Sequence, residues 1–249
     1  MICSSGVGFD PHHNGQRLTF GFHGIWQGVA VLYDKQTRSL WMHLTGECID
    51  GPLEGATLKP ITGRHVQWWE WRRDHPETQV MSEDNTFRDR YFPEQASRRG
   101  KDFFPPEFNP TIDDRDARLP PSALCYGIKA AGAVKAYPFV ALMNAEQGVV
   151  NDVVGETPVV VIFEPLTRSA AAHSRQLGDN TLVFQRAADG LLVDAASGSH
   201  FDRDGRCIDG EYKGRQLPEV FGVQAEWYGW YATYPETELF ESADDVVGQ

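Results

Sequence analysis

The chain has 249 residues, of which 41% are hydrophobic and 12% aromatic, and its formal net charge is -12. That length and apolar content can bury one large core or two small ones. The acidic balance repels a phosphate backbone and no Lys/Arg stripe offsets it, so nucleic acid is not an expected partner; no apolar run approaches the ~18 residues of a membrane span.

In chain order, the opening MICSSGVGFDP places Cys3 at the end of what reads as a buried strand, and FDPHHNG puts His12 and His13 in an exposed turn. RLTFGF, GVAVLYD and SLWMHLTG read as strands, with alternating apolar positions, β-branched and aromatic residues, and Gly or Asp-Lys-Gln-Thr punctuation between them. HVQWWEWRRDH follows as a short helix whose Trp68 and Trp71 share a face and are expected in the core. Pro76 closes it by biasing His75 out of the α region, and QVM, residues 79–81, is expected to return as a strand.

Residues 82–122 lack periodicity and are rich in Pro, Asp and Arg, yet they hold Phe87, Tyr91, Phe92, Phe103, Phe104 and Phe108. A flexible linker would not carry so many aromatics, so an ordered arm packed on the surface is expected. Its basic cluster, residues 98–101, reads as a solvated loop. Beyond the arm, GAVKAYPFV and TPVVVIF read as strands, VVNDVVG as a turn with Asn151 and Asp152 in an Asx-type arrangement, and ELF as a closing strand.

An internal repeat organises these elements. Residues 46–78 align without a gap on residues 205–237, with identities at Gly46/Gly205, Cys48/Cys207, Asp50/Asp209, Gly51/Gly210, Gly63/Gly222, Trp68/Trp227, Trp71/Trp230 and on through the Pro-Glu-Thr at residues 76–78 and 235–237. LYDKQTRSLW aligns on LVDAASGSHF, and the opening MICSSGVGF falls on PLTRSAAAH, placing Cys3 on Thr167 and Ser5 on Ser169. Residues 127–164, the lead-in to the second copy, have no counterpart. The expectation is that a comparable stretch of the first copy is missing before Met1, which would then be an internal methionine; export would follow if a signal peptide lay further upstream. The expected fold is α+β, mostly antiparallel β, in two pseudo-equivalent halves each with a short Trp-rich helix: residues 1–81, the arm 82–122, and residues 123–249.

The motifs CSSGVGFDP, LTFGFHG, LYDKQTRSLWMHLTGE, GPLEG, WRRDHPET, DARLPPS, GIKAAGAVKAYP, VVNDVVG and WYGWYATYPET span nearly the whole chain. Together they resemble the bacterial family called domain of unknown function 3179. The resemblance implies a duplicated domain whose activity is not established, with many members exported. It also implies a Cys-Pro-x-Cys stretch at the point where this chain begins, with Cys3 matching the second cysteine.

Comparing the copies separates fold from site. Shared positions such as Cys48/Cys207, Asp50/Asp209 and the paired tryptophans suit a common fold. Positions that differ are candidates for chemistry. Cys3, opposite Thr167, could be a nucleophile or a soft-metal ligand. Glu47, opposite Arg206, could be an acid or base. Trp41, opposite Phe201, and His23, which is unmatched, are the expected ligand-binding neighbours. The four cysteines form no zinc-ligand spacing, and no phosphate-binding loop, dinucleotide fingerprint, HExxH or GxSxG occurs, so no cofactor is identified. Two functions remain: a non-catalytic ligand- or partner-binding module with a groove between the halves, and a thiol-based redox or metal-dependent enzyme centred on Cys3.

Overall fold

The computed structural model describes residues 3–82, 86, 111–112 and 116–241. The fold is α+β and mostly antiparallel, with three short helices, Trp68–Asp74, Phe139–Asn144 and Trp227–Thr233, among the described residues. Each copy contains one four-stranded meander. In the first, Phe20–Trp26, Val29–Asp34, Leu40–Met42 and Cys48–Asp50 pair in that order; in the second, Phe184–Arg186, Leu192–Asp194, His200–Phe201 and Cys207–Asp209 do so.

Each meander is pinned by a buried aspartate in a tight turn. Asp34 accepts hydrogen bonds from the Trp41 indole at 3.0 Å, the Thr37 hydroxyl at 2.7 Å and the Ser39 amide at 3.1 Å. Asp194 accepts from the Ser197 hydroxyl at 2.7 Å and the Val183 amide at 3.0 Å. Gly51 and Gly210, at φ 100° and 95°, carry the backbone over Ser39 and Ser199. A Cβ there would lie 2.8 Å and 2.6 Å from the serine Cα atoms, so the glycines are fixed by both conformation and space. Cys48 and Cys207 donate their thiols to the carbonyls of Asp50 and Asp209.

The central core belongs to both copies. Val29, Val31, Met42 and Leu44 pack with Cys125, Val134, Ala225, Trp227 and Trp230 in one buried cluster. Beside it, Leu124–Ala130 and Ala133–Pro138 form a hairpin inserted between Gly222–Glu226 and Glu238–Leu239. A third sheet, Val149–Val154, Thr157–Glu164 and Ser169–Ser174, buries Val159 to Phe163 on both faces, as the unbroken apolar run VVVIF requires.

Several elements differ from the sequence reading. Trp68 and Trp71 are not core: they are 50% and 41% exposed, whereas Trp227 and Trp230 are 1% and 2% exposed. The second pair lies under the Leu124–Pro138 hairpin, and the described residues supply no equivalent for the first. For the same reason QVM, residues 79–81, forms no strand, while its counterpart Glu238–Leu239 pairs with Ala133–Pro138. Asn151 and Asp152 are not an Asx turn. They sit within the strand Val149–Val154, where Asn151 clamps Phe184 through both its amide groups and Asp152 binds the Tyr137 hydroxyl and the Lys135 ammonium. GAVKAYPFV is a strand only to Pro138; Phe139 starts a helix that buries Phe139 and Leu142. The six aromatics of the arm and its basic cluster lie outside the described residues. Of its described part, Ile112 is buried in the central core, and Arg118 stacks over Trp227.

Burial pushes the Asp34 and Asp194 carboxyls up, but their hydrogen-bond donors outweigh it and hold both below the ordinary value of 3.8. The stabilisation is therefore complete above 3.8 and is lost as pH falls through the lower folded pKa. Asp34→Ala leaves the buried Trp41 indole N–H and the Thr37 amide without their acceptor. It is expected to cost about 3 kcal/mol in urea unfolding at neutral pH, with the gap from the parent narrowing as the pH drops well below the usual carboxylate range.

Candidate functional site

The two copies meet at two related junctions, each formed by a turn of one copy and the helix of the other. The first turn holds Cys3 and Ser4 at φ 44° and 49°; the second holds Arg168, which aligns with Ser4, at φ 53°. Left-handed backbone at a non-glycine residue costs about 1–3 kcal/mol and persists only where the surroundings impose it. Arg168 takes it in the hairpin loop that joins Glu164 to Ser169, and the exchanged helices add donors to both turns. The Glu226 amide donates to the Cys3 carbonyl at 2.8 Å. Gln67, the counterpart of Glu226, donates its side-chain amide to the Thr167 carbonyl at 3.4 Å.

At the first junction the helix Trp227–Thr233 closes tightly on Cys3. A Cβ on Gly229 would lie 2.6 Å from the Cys3 Cβ, so only glycine permits the approach. The Cys3 amide donates to the Tyr228 hydroxyl at 2.6 Å, and the Ser4 hydroxyl donates to Glu226 at 3.0 Å. The meander of the first copy adds His43. Its Nδ1 lies 3.2 Å from the Ala30 carbonyl, which can only accept, so Nδ1 carries the proton in the neutral ring. Nε2 then accepts from Ser5 at 2.7 Å and lies 3.7 Å from the Cys3 sulfur, itself 3.0 Å from the Ser5 hydroxyl.

Burial dominates the electrostatics of this cluster. It pushes the Cys3 thiol up to about 11, with the Glu226 charge adding to the rise and the Ser5 hydrogen bond partly offsetting it. Burial also lowers His43, partly opposed by Ala30, and raises Glu226 and Tyr228. At neutral pH the cluster holds a thiol and a neutral imidazole, a different state from the thiolate–imidazolium pair of a cysteine nucleophile.

The second junction is charged and open. Glu70 stands where Gly229 stands in the first. It is 2% exposed and pairs with Arg203, whose other amino group reaches Asp74 at 3.4 Å. Arg64 pairs with Asp204 at 2.9 Å. His173 donates Nε2–H to the Arg203 carbonyl at 3.1 Å, and its Nδ1 is buried without a partner, as is the Glu70 Oε2. Between these groups opens a small cleft of about 100 Å³, lined by Gly63 and Arg64 from the first copy and Tyr126, His173, Arg203 and Glu219 from the second. A second hollow of about 100 Å³ adjoins it along Arg64, Glu70 and Trp71.

The residues singled out in the sequence do not assemble. Cys3 is fully buried. Trp41 is buried in a separate cluster with Leu18, Cys48 and Leu58. His23 and Glu47 are exposed on the first meander. The groups bonded to Cys3 are Ser5, His43, Tyr228 and the Glu226 amide. The last two come from the opposite copy, which sequence distance conceals. The comparison of copies contained the signal: Glu226 and Tyr228 align with Gln67 and Trp69, so they differ as Cys3 does. Among the described residues no group of three or more His, Cys, Asp or Glu could hold a metal ion, and no helix is long and apolar enough to cross a membrane.

Fold and junctions define a β-rich α+β protein with an internal repeat whose copies cap one another. The family model described as "Protein of unknown function (DUF3179)" matches residues 1–237, and the chain belongs to that family. No curated protein and no solved structure matches it.

A thiol raised to about 11 carries about a hundredfold less thiolate at neutral pH than one at the ordinary 9.0. Iodoacetamide labelling mapped to Cys3 should accordingly be at least a hundredfold slower in the native protein than in the guanidine-unfolded chain. Its rate should still be rising with pH above the ordinary thiol range.

Proposed function

We propose that the protein is a non-catalytic binding module that holds a small anionic ligand in the cleft between its two copies. The observation that carries this reading is the convergence of Arg64 and Arg203 from opposite copies on one open cleft, with His173 and Tyr126 in its wall. A guanidinium has five N–H donors. The ion pairs to Asp204, Glu70 and Asp74 use only some of them, which leaves donors for a carboxylate or phosphate in the cleft, the groups that arginine recognises best. The neighbouring Glu219 and Asp204 select against large polyanions and favour a small ligand that also carries donors of its own.

The test is calorimetric titration with inorganic phosphate and a panel of small mono- and dicarboxylates. Saturable binding by at least one of them is expected, weakened tenfold or more in Arg64→Ala and unchanged in Cys3→Ser. Arg64 is the better target because Arg203 neutralises the buried Glu70, and removing one partner of such a pair is strongly destabilising. Binding by no member of the panel, or a large loss in Cys3→Ser, would overturn the reading.

The second reading is a thiol-dependent enzyme, and the contacts around Cys3 favour it: Cys3 stands as the nucleophile, the Ser5 hydroxyl bridges it to His43 as the base, and the Ala30 carbonyl orients the imidazole. It requires that a conformational change expose Cys3 and lower its pKa. Native labelling of Cys3 as fast as that of the unfolded chain would support it over the binding module.

A further inference from the structure

The two junctions are built from equivalent positions, and they differ in polarity where the cleft lies. Three residues lining it are ionisable where the other copy is apolar: His173 stands for Phe9, Glu219 for Pro60 and Arg64 for Val223. The surrounding backbone is equivalent. Phe9 pairs with Pro60, and His173 bridges to Glu219. A Cβ on Gly46 would meet the Phe9 ring at 2.5 Å, and one on Gly205 would meet the His173 ring at 2.9 Å. The imidazole thus occupies the slot of a phenyl ring, and packing alone does not call for its polarity.

That polarity is left unsatisfied within the protein. The Arg203 carbonyl can only accept, so the neutral ring carries its proton on Nε2 and presents a lone pair at Nδ1. His173 is 4% exposed, and its Nδ1 has no partner among the described residues. Burial holds the ring below its ordinary pKa, so it is an acceptor at neutral pH. A buried acceptor without a donor is costly and uncommon in folded proteins. Beside it, across the bridge, Glu219 is exposed and enters no ion pair among the described residues. One wall, made by the second copy alone, therefore holds two acceptors that want a donor, close to the guanidinium groups of Arg64 and Arg203.

We propose that the ligand of this cleft is a small α-amino acid bound as its zwitterion, with the carboxylate on Arg64 and Arg203 and the ammonium donating to His173 Nδ1 and Glu219. It rests on the anion-binding reading of the same cleft and adds the other half of the ligand. An ammonium has three donors and no acceptor, which suits the two wall acceptors and leaves one donor for water. Its carboxylate lies one carbon away, so both charges fit a cleft of about 100 Å³, the share of about three waters. A dicarboxylate would instead set a second negative charge against Glu219 and leave Nδ1 without a donor.

The experiment is calorimetric titration of the whole chain at neutral pH with L-alanine, with propionate, which is alanine without its amino group, and with inorganic phosphate. Alanine is expected to bind saturably, at one per chain and at least tenfold more tightly than propionate, because it adds charge-assisted hydrogen bonds. His173→Phe installs the ring of the other copy; the ratio of alanine to propionate affinity should fall at least fivefold, with propionate binding unchanged. Glu219→Gln, at an exposed position, should lower the same ratio at least fivefold, and it decides the matter if circular dichroism shows His173→Phe unfolded. Alanine binding no tighter than propionate, or a preference for alanine that survives the folded variants, overturns the amino acid and leaves the anion-binding reading standing where propionate or phosphate still binds. Silence from all three ligands overturns both.

Discussion

The structure depends on the exchange of helices between the two copies. Two equivalent turns sit at the crossings, with Ser4 and Arg168 in left-handed backbone without being glycine. Each is held by a donor at the start of the opposite helix, the Glu226 amide for one and the Gln67 side chain for the other. The central core follows from this exchange, since Trp227 and Trp230 can pack against Val29 and Met42 only when the second helix crosses onto the first copy. A chain built this way has contacts of very high sequence separation, such as Cys3 with Tyr228.

One residue on each helix decides the character of its junction. Gly229 lets the helix close on Cys3, which excludes water and leaves a neutral, hydrogen-bonded cluster of thiol, hydroxyl and imidazole. Glu70 at the matching position brings a carboxylate into the other junction. A buried carboxylate needs a cation, and Arg203 supplies it. Two further ion pairs, Arg203 with Asp74 and Arg64 with Asp204, stand around the cleft. The same architecture thus yields one closed, hydrogen-bonded site and one open site lined by ion pairs.

The copies also differ in what covers their helices. The aromatic rings of the second are enclosed by a hairpin whose glycine and tyrosine interlock with a tryptophan and a glycine of the repeat. The first presents the same kinds of surface without that cover among the described residues. Apolar burial contributes stability in proportion to area removed from water, ~25 cal/mol per Å², so the two helices are unequal in stability despite their shared sequence pattern. The hydrogen bond from indole to threonine survives in both, Trp71 to Thr78 at 2.8 Å and Trp230 to Thr237 at 2.9 Å. It is a local feature and needs no cover.

The sequence by itself determined much of what is local. It specified the meander strands, the short tryptophan helices, the turns at Asp50-Gly51 and Asp209-Gly210, the shared cysteines Cys48 and Cys207 as parts of the common fold, the β-rich α+β class and the family. Alternation, turn chemistry and the alignment of one copy on the other are short-range signals, and they survive in one dimension. The tertiary structure alone decided which tryptophans are buried, because burial depends on a hairpin lying far away in sequence. It alone placed Asn151 inside a strand, where its amide bridges to Phe184, and it alone gathered Ser5, His43, Glu226 and Tyr228 around Cys3. Those groups meet because the helices cross between copies, and no spacing or periodicity in the chain encodes a crossing.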